Sequence, residues 1–227
     1  MSNWGVIENH GLFEIGIAMP DEERRKRYTS IALEHLEAEA RMQIMGDGVQ
    51  WEQSPLYHNE VLHCYEDVLI LASRNDIEVP DTILNAVHKM ACADLMWKKP
   101  DHKQLLMGDS DDMDIRDYIS TAAVLFRDPM LKFGGFPVLD FESVWDLGIE
   151  SARLYQEIEI QEPDFLSGAL SDSGNYYLRD KWGEDGSLLH FHCGTMGAGH
   201  GHSDKLHVDL CVGGEDVPVS YTHLTLP

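Results

Sequence analysis

The sequence predicts an α+β chain in which helices come first and an antiparallel sheet second. From Trp4 to Tyr155 apolar residues recur at helical spacings, whereas after Pro163 they fall into short alternating runs divided by Gly- and Asp-rich turns. A length of 227 residues with 43% hydrophobic content is enough to build a substantial core.

The elements follow in order. Trp4, Ile7, Leu12 and Ile15 mark a first helical stripe; with only Ser2 and Asn3 before it to act as a cap, the start is expected to be internal to a longer helical region. Behind Pro20, the stretch from Asp21 to Ile44 carries Ile31, Leu33, Leu36, Ala40 and Ile44 on one face and stops at Gly46-Asp47-Gly48. Ser54-Pro55 reads as an N-cap and first-turn pair for a helix with Val61, Tyr65, Val68 and Ala72 as its face. Pro80-Asp81 opens another helix, striped by Ile83, Val87, Met90 and Leu95 and ended by Lys99-Pro100-Asp101. An acidic loop from Gly108 to Asp114 precedes a pattern at Ile115, Ile119, Ala122 and Phe126. Asp128-Pro129, Gly134-Gly135 and Pro137 read as a connector, followed by one short helix around Val144 to Tyr155.

Beyond Pro163, Ser171 to Gly174 is a turn, Tyr176 to Leu178 a strand, Gly183 to Gly186 a turn and Leu188 to Cys193 a strand. Lys205 to Val212 alternates, with Leu206, Val208, Leu210 and Val212 on the side expected to be buried and His207, Asp209 and Cys211 opposite. Gly213 to Asp216 should turn into a further strand. Back-translated, Val219 to Pro227 (VSYTHLTLP) matches the adapter of transposon-based sequencing libraries, so this tail is expected to be non-native.

The charge narrows the function. A formal net charge of -23, from 40 acidic residues against 17 Lys and Arg, disfavours nucleic acid and anionic membrane as partners, since neutralising phosphates needs a basic face. Cys64, Cys92, Cys193 and Cys211 include no CxxC pair and suggest neither a disulfide framework nor a thiolate zinc site.

Three segments could carry chemistry. In GAGHGHSD, Gly197 to Asp204, His200 and His202 sit at i and i+2, which on an extended backbone points both the same way, towards a shared ligand or metal. Glu8-Asn9-His10-Gly11 places poor helix formers inside a helical pattern, a local rule broken more often at functional sites than in scaffolding. Trp51 to His58, WEQSPLYH, puts Tyr57 and His58 in a first helical turn, where the positive end favours an ionised phenol or a carboxylate ligand, with Glu52 placed to orient its neighbours.

Together with GDSDDMDIR and the run SGNYYLRD to GHGHSDKLHVDL, these segments resemble the heparinase II/III family of polysaccharide lyases, up to about Pro218. The resemblance implies an α+β multidomain arrangement: an incomplete α/α toroid with its connector over 1–162, the start of an antiparallel β-sandwich over 163–218, a non-native tail over 219–227, and a site in the cleft between the two domains. It also implies β-elimination at a uronic acid, in which the C5 proton is removed and the C4 oxygen expelled. By match to the family, Asn9 and His10 polarise the uronate carboxylate, with His10 also a candidate base; Tyr57 is base or acid; and His200 is the catalytic histidine of the β-domain. Glu52, Arg116 and Arg179 are candidate substrate contacts, and Asp204 a candidate for fixing a histidine tautomer. His202 matches a ligand of a structural zinc expected in the intact protein only, since its further ligands fall at the tail or beyond and closed zinc sites need four donors.

The implied partner is a uronate polysaccharide. The chain's acidity favours one carboxylate per sugar over heavy sulfation. Family members are often exported to the periplasm or secreted, while unpaired cysteines keep a cytoplasmic location open; the oligomeric state is open too. Two other readings stand: a non-catalytic carbohydrate-binding protein of the same fold, and a metal-dependent hydrolase using His200, His202 and Asp204, whose HGHSD is similar to the HxHxDH motif of the metallo-β-lactamase fold but has Lys205 where that motif has its third His. With its sheet cut short and its edges open, the chain as it stands is expected to be inactive and prone to aggregate.

Overall fold

A computed structural model describes residues 3–217, so the expectation for Val219 to Pro227 lies outside the described residues. Eight helices precede five strands: α1 (Asn3–Ala18), α2 (Glu22–Gln43), α3 (Pro55–Arg74), α4 (Asp81–Trp97), α5 (Arg116–Phe126), α6 (Pro129–Gly134), α7 (Phe141–Leu147), α8 (Ile149–Glu157), β1 (Ser167–Leu170), β2 (Asn175–Arg179), β3 (Leu188–His192), β4 (His207–Val212) and β5 (Glu215–Val217). The order of helices then antiparallel sheet is the one predicted. None of the described helices is long and apolar enough to cross a membrane.

α2 begins where its sequence says it should. The Asp21 carboxylate accepts from Arg24 N, Glu22 and Glu23 lie in the positive first turn, and Arg41 lies in the last. The core forms where α3, α4 and α5 turn Val61, Tyr65, Val68, Ile83, Val87, Met90, Ile119 and Ala122 towards one another, with Trp97 closing one end. Tyr65 Oη, buried with them, donates to Leu36 O and ties α3 to α2.

Several expectations need correction. In α1 most of the predicted stripe faces outward, Trp4 being 69% and Ile15 53% exposed, while Leu12 packs partly buried against the core and Val6, Phe13 and Gly16 are buried. Close approach decided this: a Cβ on Gly16 would stand 2.9 Å from Thr29 Cγ2, so only a glycine face lets α2 pack so near. Ser54 holds the N-cap position of α3 without a side-chain cap bond; instead Ser110 Oγ, from the acidic loop, accepts from Leu56 N. The expected connector after Asp128 contains α6, whose Asp128 carboxylate accepts from Met130 N and Leu131 N. The single helix expected to Tyr155 is two, α7 and α8, divided at Gly148 with φ 86°.

The strands form one sheet in sequential order, each antiparallel to the next. β1, absent from the sequence reading, is a short strand whose side chains are mostly exposed and so carry little alternating signal. β4 is buried on the face opposite to the one expected: Cys211 is buried whereas Val212 is exposed, and Leu206 lies before the strand at φ 68°. The register explains it. His192 pairs with His207, His190 with Asp209 and Leu188 with Cys211, so the face turned to the helices is polar at one end and apolar at the other. Its polar groups satisfy one another: Asn175 Oδ1 accepts from His190 Nε2 and His192 Nδ1, each at 2.9 Å. Asp209 lies 3.2 Å from His190 Nδ1 and 2.9 Å from His207 Nε2. These internal partners let most of the polar face be buried, leaving Tyr177 Oη, whose ring stacks on His190, without a hydrogen-bond partner.

Candidate active site

The segment leading into α3 is the floor of the site. Gln50 Nε2 donates to Gln43 Oε1, Gln50 Oε1 accepts from Glu52 N, and Gln53 turns the chain at φ 58° into Pro55. Glu52 is thereby buried. Burial pushes its carboxyl above the ordinary range, against the opposing pull of His200 and of the Asn3 backbone N–H. One of its oxygens, Oε2, has no hydrogen-bond partner, and neither has the buried Oδ1 of Asn3 at the start of α1.

The loop between β3 and β4 is the roof. Gly197 (φ 66°) and Gly201 rest on the backbone of Glu52, where added Cβ atoms would come to 2.5 and 2.9 Å from Glu52 O. Gly108 (φ 60°) plays the same part from the acidic loop, where a Cβ would be 2.5 Å from His200 O. Glycines at these points let three backbones meet, and Asp109 N donates to His200 O to hold them. The contact brings the His200 ring flat onto Tyr57, with ring centroids 3.4 Å apart and an angle of 7° between planes.

Asp109 lies behind this pair. Its carboxylate accepts from His200 Nδ1 at 3.2 Å and from His202 Nε2 at 2.7 Å. Partial burial pushes its pKa up, but the two histidines outweigh that and hold it below the usual carboxylate range. A carboxylate can only accept, so Nδ1 of His200 carries a proton, and in the neutral ring Nε2 is left to offer a lone pair. Ser54 Oγ, bonded to Ser110 Oγ at 2.9 Å and to Asp109 O at 3.2 Å, pins the acidic loop to the start of α3.

The structure brings together Glu52, Tyr57, His200 and His202. It does not bring Asn9 and His10 to them. Asn9 Oδ1 lies 2.9 Å from His35 Nδ1 on α2, and its amide donates to Gly5 O. His10 Nε2 is 3.3 Å from Asp67, which lies ten residues beyond Tyr57 on α3, or roughly 15 Å along the helix axis. Arg116 is engaged with Asp114 at 3.0 Å and stacked over Phe136. Arg179 donates to Met96 O and Lys98 O and covers Trp182, so it joins the sheet to the end of α4 rather than facing a ligand. Asp204 lies 3.8 Å from His192, away from His200 and His202. The hydrolase reading therefore lacks its third ligand.

The zinc expected at His202 finds only Asp109 as a companion donor, and among the described residues no three-donor cluster includes it. The residues present do not make a closed zinc site, and the other ligands the resemblance implied lie outside the described residues. Sequence reading missed Asn3 and Asp109. Asp109 stood in the acidic loop, where one acid among four had no mark of its own; the signal for Asn3, a buried oxygen without a partner, exists only in three dimensions.

Comparison with known proteins settles the lineage. The family described as Heparinase II/III N-terminus matches residues 1–132. The chain belongs to the heparinase II/III family. A heparin-sulfate lyase of Pedobacter heparinus is 25% identical over 220 residues, covering 92% of the chain and 30% of that enzyme. Among solved structures, a mutant heparan sulfate lyase from Pedobacter heparinus superposes with a TM-score of 0.76 at 22% identity, over 96% of the chain and 33% of the other. A heparinase III superposes with a TM-score of 0.77 at 17% identity, over 95% and 34%. The heparinase II/III fold, helical toroid followed by sandwich, is thus shared along nearly the whole chain, which spans about a third of these relatives' length.

Proposed function

We propose that this chain carries the junction half of a polysaccharide lyase site that cleaves uronate glycosides by β-elimination. The observation that carries the reading is the Tyr57–His200 stack, which places a phenol from the helical part against an imidazole from the sheet part. In the reaction a base removes the C5 proton, the electron pair forms the C4–C5 double bond, and the C4 oxygen leaves with a proton from an acid. Tyr57 Oη and His200 Nε2 are the two groups placed to exchange those protons, and the face of the sugar that bears C5–H decides which acts first. Asp109 holds the His200 tautomer that this requires.

The C5 proton is weakly acidic until the neighbouring carboxylate is neutralised. Asn9 and His10, assigned that task by resemblance, lie too far along α1. Asn3, whose side-chain Nδ2 can donate, and Glu52, in its protonated form, are better placed to receive the carboxylate beside the His200 loop. The relatives' names make heparan sulfate the first substrate to try, whereas the net charge of -23 favours a sparsely sulfated region of it or another uronate polymer.

The test is the ultraviolet absorbance of the unsaturated uronate, followed on heparan sulfate, hyaluronan and alginate, for this chain and for a protein extended to the relatives' length. Product formation lost in both Tyr57→Phe and His200→Ala is the expected result. Binding of a uronate polymer by folded protein without any product would replace the lyase reading with a carbohydrate-binding one.

A further inference from the structure

Away from the Tyr57–His200 pair, α1 and α3 each present a donor pair at i and i+4, and the two pairs face one another: His10 with Glu14, His63 with Asp67. Asp67 Oδ2 is the centre of this group. It lies 3.3 Å from His10 Nε2 and 3.8 Å from His63 Nε2, while Glu14 Oε1 lies 3.7 Å from His10 Nε2. The donor atoms of His10, Glu14 and Asp67 all fall within 4.8 Å of one another. Donors around a tetrahedral ion with bonds near 2.0–2.1 Å stand about 3.3 Å apart, close to the two spacings from His10 Nε2.

A second observation is independent of that spacing. His10 Nε2 is shut away from solvent and makes no well-aligned hydrogen bond, although Asp67 Oδ2 lies 3.3 Å away. Burial opposes charge on the ring, but the Asp67 carboxylate and the Cys64 thiol beside it outweigh that and draw its pKa up to about 10. A hydrogen bond wants the N–H directed at the oxygen, whereas two ligands of one ion point past each other at the metal. The surroundings also favour a cation. Asp67 shares the wall of a small cavity with Glu66, Asp117, Glu142 and Asp146, and Glu66 is buried with an unpartnered Oε1.

We propose that His10, Glu14 and Asp67 bind a divalent transition-metal ion of the zinc class that staples α1 to α3, its coordination completed by water. An imidazole nitrogen beside two carboxylates suits zinc and its neighbours better than calcium or magnesium, which take oxygen ligands throughout. The staple accounts for the Asn-His-Gly break in a helical pattern without calling on catalysis, and it holds α1 so that Asn3, at its other end, stays against Glu52. The site is separate from the lyase reading and stands if that reading fails.

Zinc titration by calorimetry, together with cobalt(II) absorption spectra, tests it on the 227-residue chain carrying His202→Ala, which removes the other histidine expected to attract zinc. The expected result is a single bound equivalent, a visible cobalt spectrum of four-coordinate type, and a melting temperature that rises with zinc. Glu14→Gln, at a half-exposed side chain whose loss leaves folding intact, and the isosteric Asp67→Asn should each weaken binding by more than the roughly tenfold cost of losing a supporting hydrogen bond. Failure to take up zinc, or uptake that both substitutions leave unchanged, overturns the proposal.

Discussion

Tyr57 and His200 come from opposite ends of the chain, and each was singled out by its local pattern: an aromatic in a first helical turn, a histidine in a glycine-rich loop. Their stacking makes the strongest prediction at this scale. Tyr57→Phe keeps the ring against His200 and removes only the proton-carrying oxygen, so turnover should fall roughly 100- to 10,000-fold with little change in KM. Asp109→Asn should act differently, because an amide can present either a donor or an acceptor to Nδ1; the pH–rate profile should shift along with the rate. A third prediction concerns His58, legible as a first-turn residue but not as a core one. Its Nδ1 accepts from Gln50 N, its Nε2 faces Met90 O, and burial lowers its pKa to about 3. The folded form therefore holds it neutral while the unfolded chain protonates at about 6.5. Its contribution to stability is full above that value and is lost progressively as pH falls from about 6.5 towards about 3; an NMR titration showing His58 charged at pH 5 in the folded protein would contradict this.

At the scale of elements, the long helices were readable because each pairs a start signal with a sustained stripe, as Asp21 and Pro80-Asp81 do. The short ones were not. α6 is one turn and a half with no room for periodicity, and it depends on its cap: the Asp128 carboxylate accepts from Met130 N at 2.8 Å and Leu131 N at 3.1 Å, and also meets His88 Nε2 at 2.8 Å. Asp128→Ala should lower unfolding stability by about 1–2 kcal/mol, measured by chemical denaturation. Gly174→Ala should cost more: at φ 77°, its Cβ would stand 2.3 Å from Gly194 Cα, so both the turn after β1 and its contact with the loop after β3 would have to yield.

Taken whole, the molecule buries one face of its sheet and leaves the other open. Tyr176, Leu178, Val212 and Val217 lie on the open face, each at least 40% exposed. An apolar sheet surface of this kind drives association. Light scattering on the 227-residue chain should show concentration-dependent growth, which Leu178→Lys combined with Val212→Lys should suppress; a monodisperse monomer at high concentration would show that the face is tolerated in water.

The sequence by itself determined the order of helices and sheet, the bounds of the long helices, and the helix start and the loop that supply Tyr57 and His200, because periodicity, caps and glycine clusters are local signals. Only the tertiary structure decided which face of α1 and β4 is buried, that Arg116 and Arg179 are spent on internal contacts, and that Asn9 and His10 stand apart from Tyr57 while Asn3 stands against Glu52 and Asp109 against His200. Those outcomes depend on the approach of distant backbones, set by glycines at Gly16, Gly108 and Gly197, and on the pairing of buried polar groups across strands. Neither leaves a periodic trace along the chain.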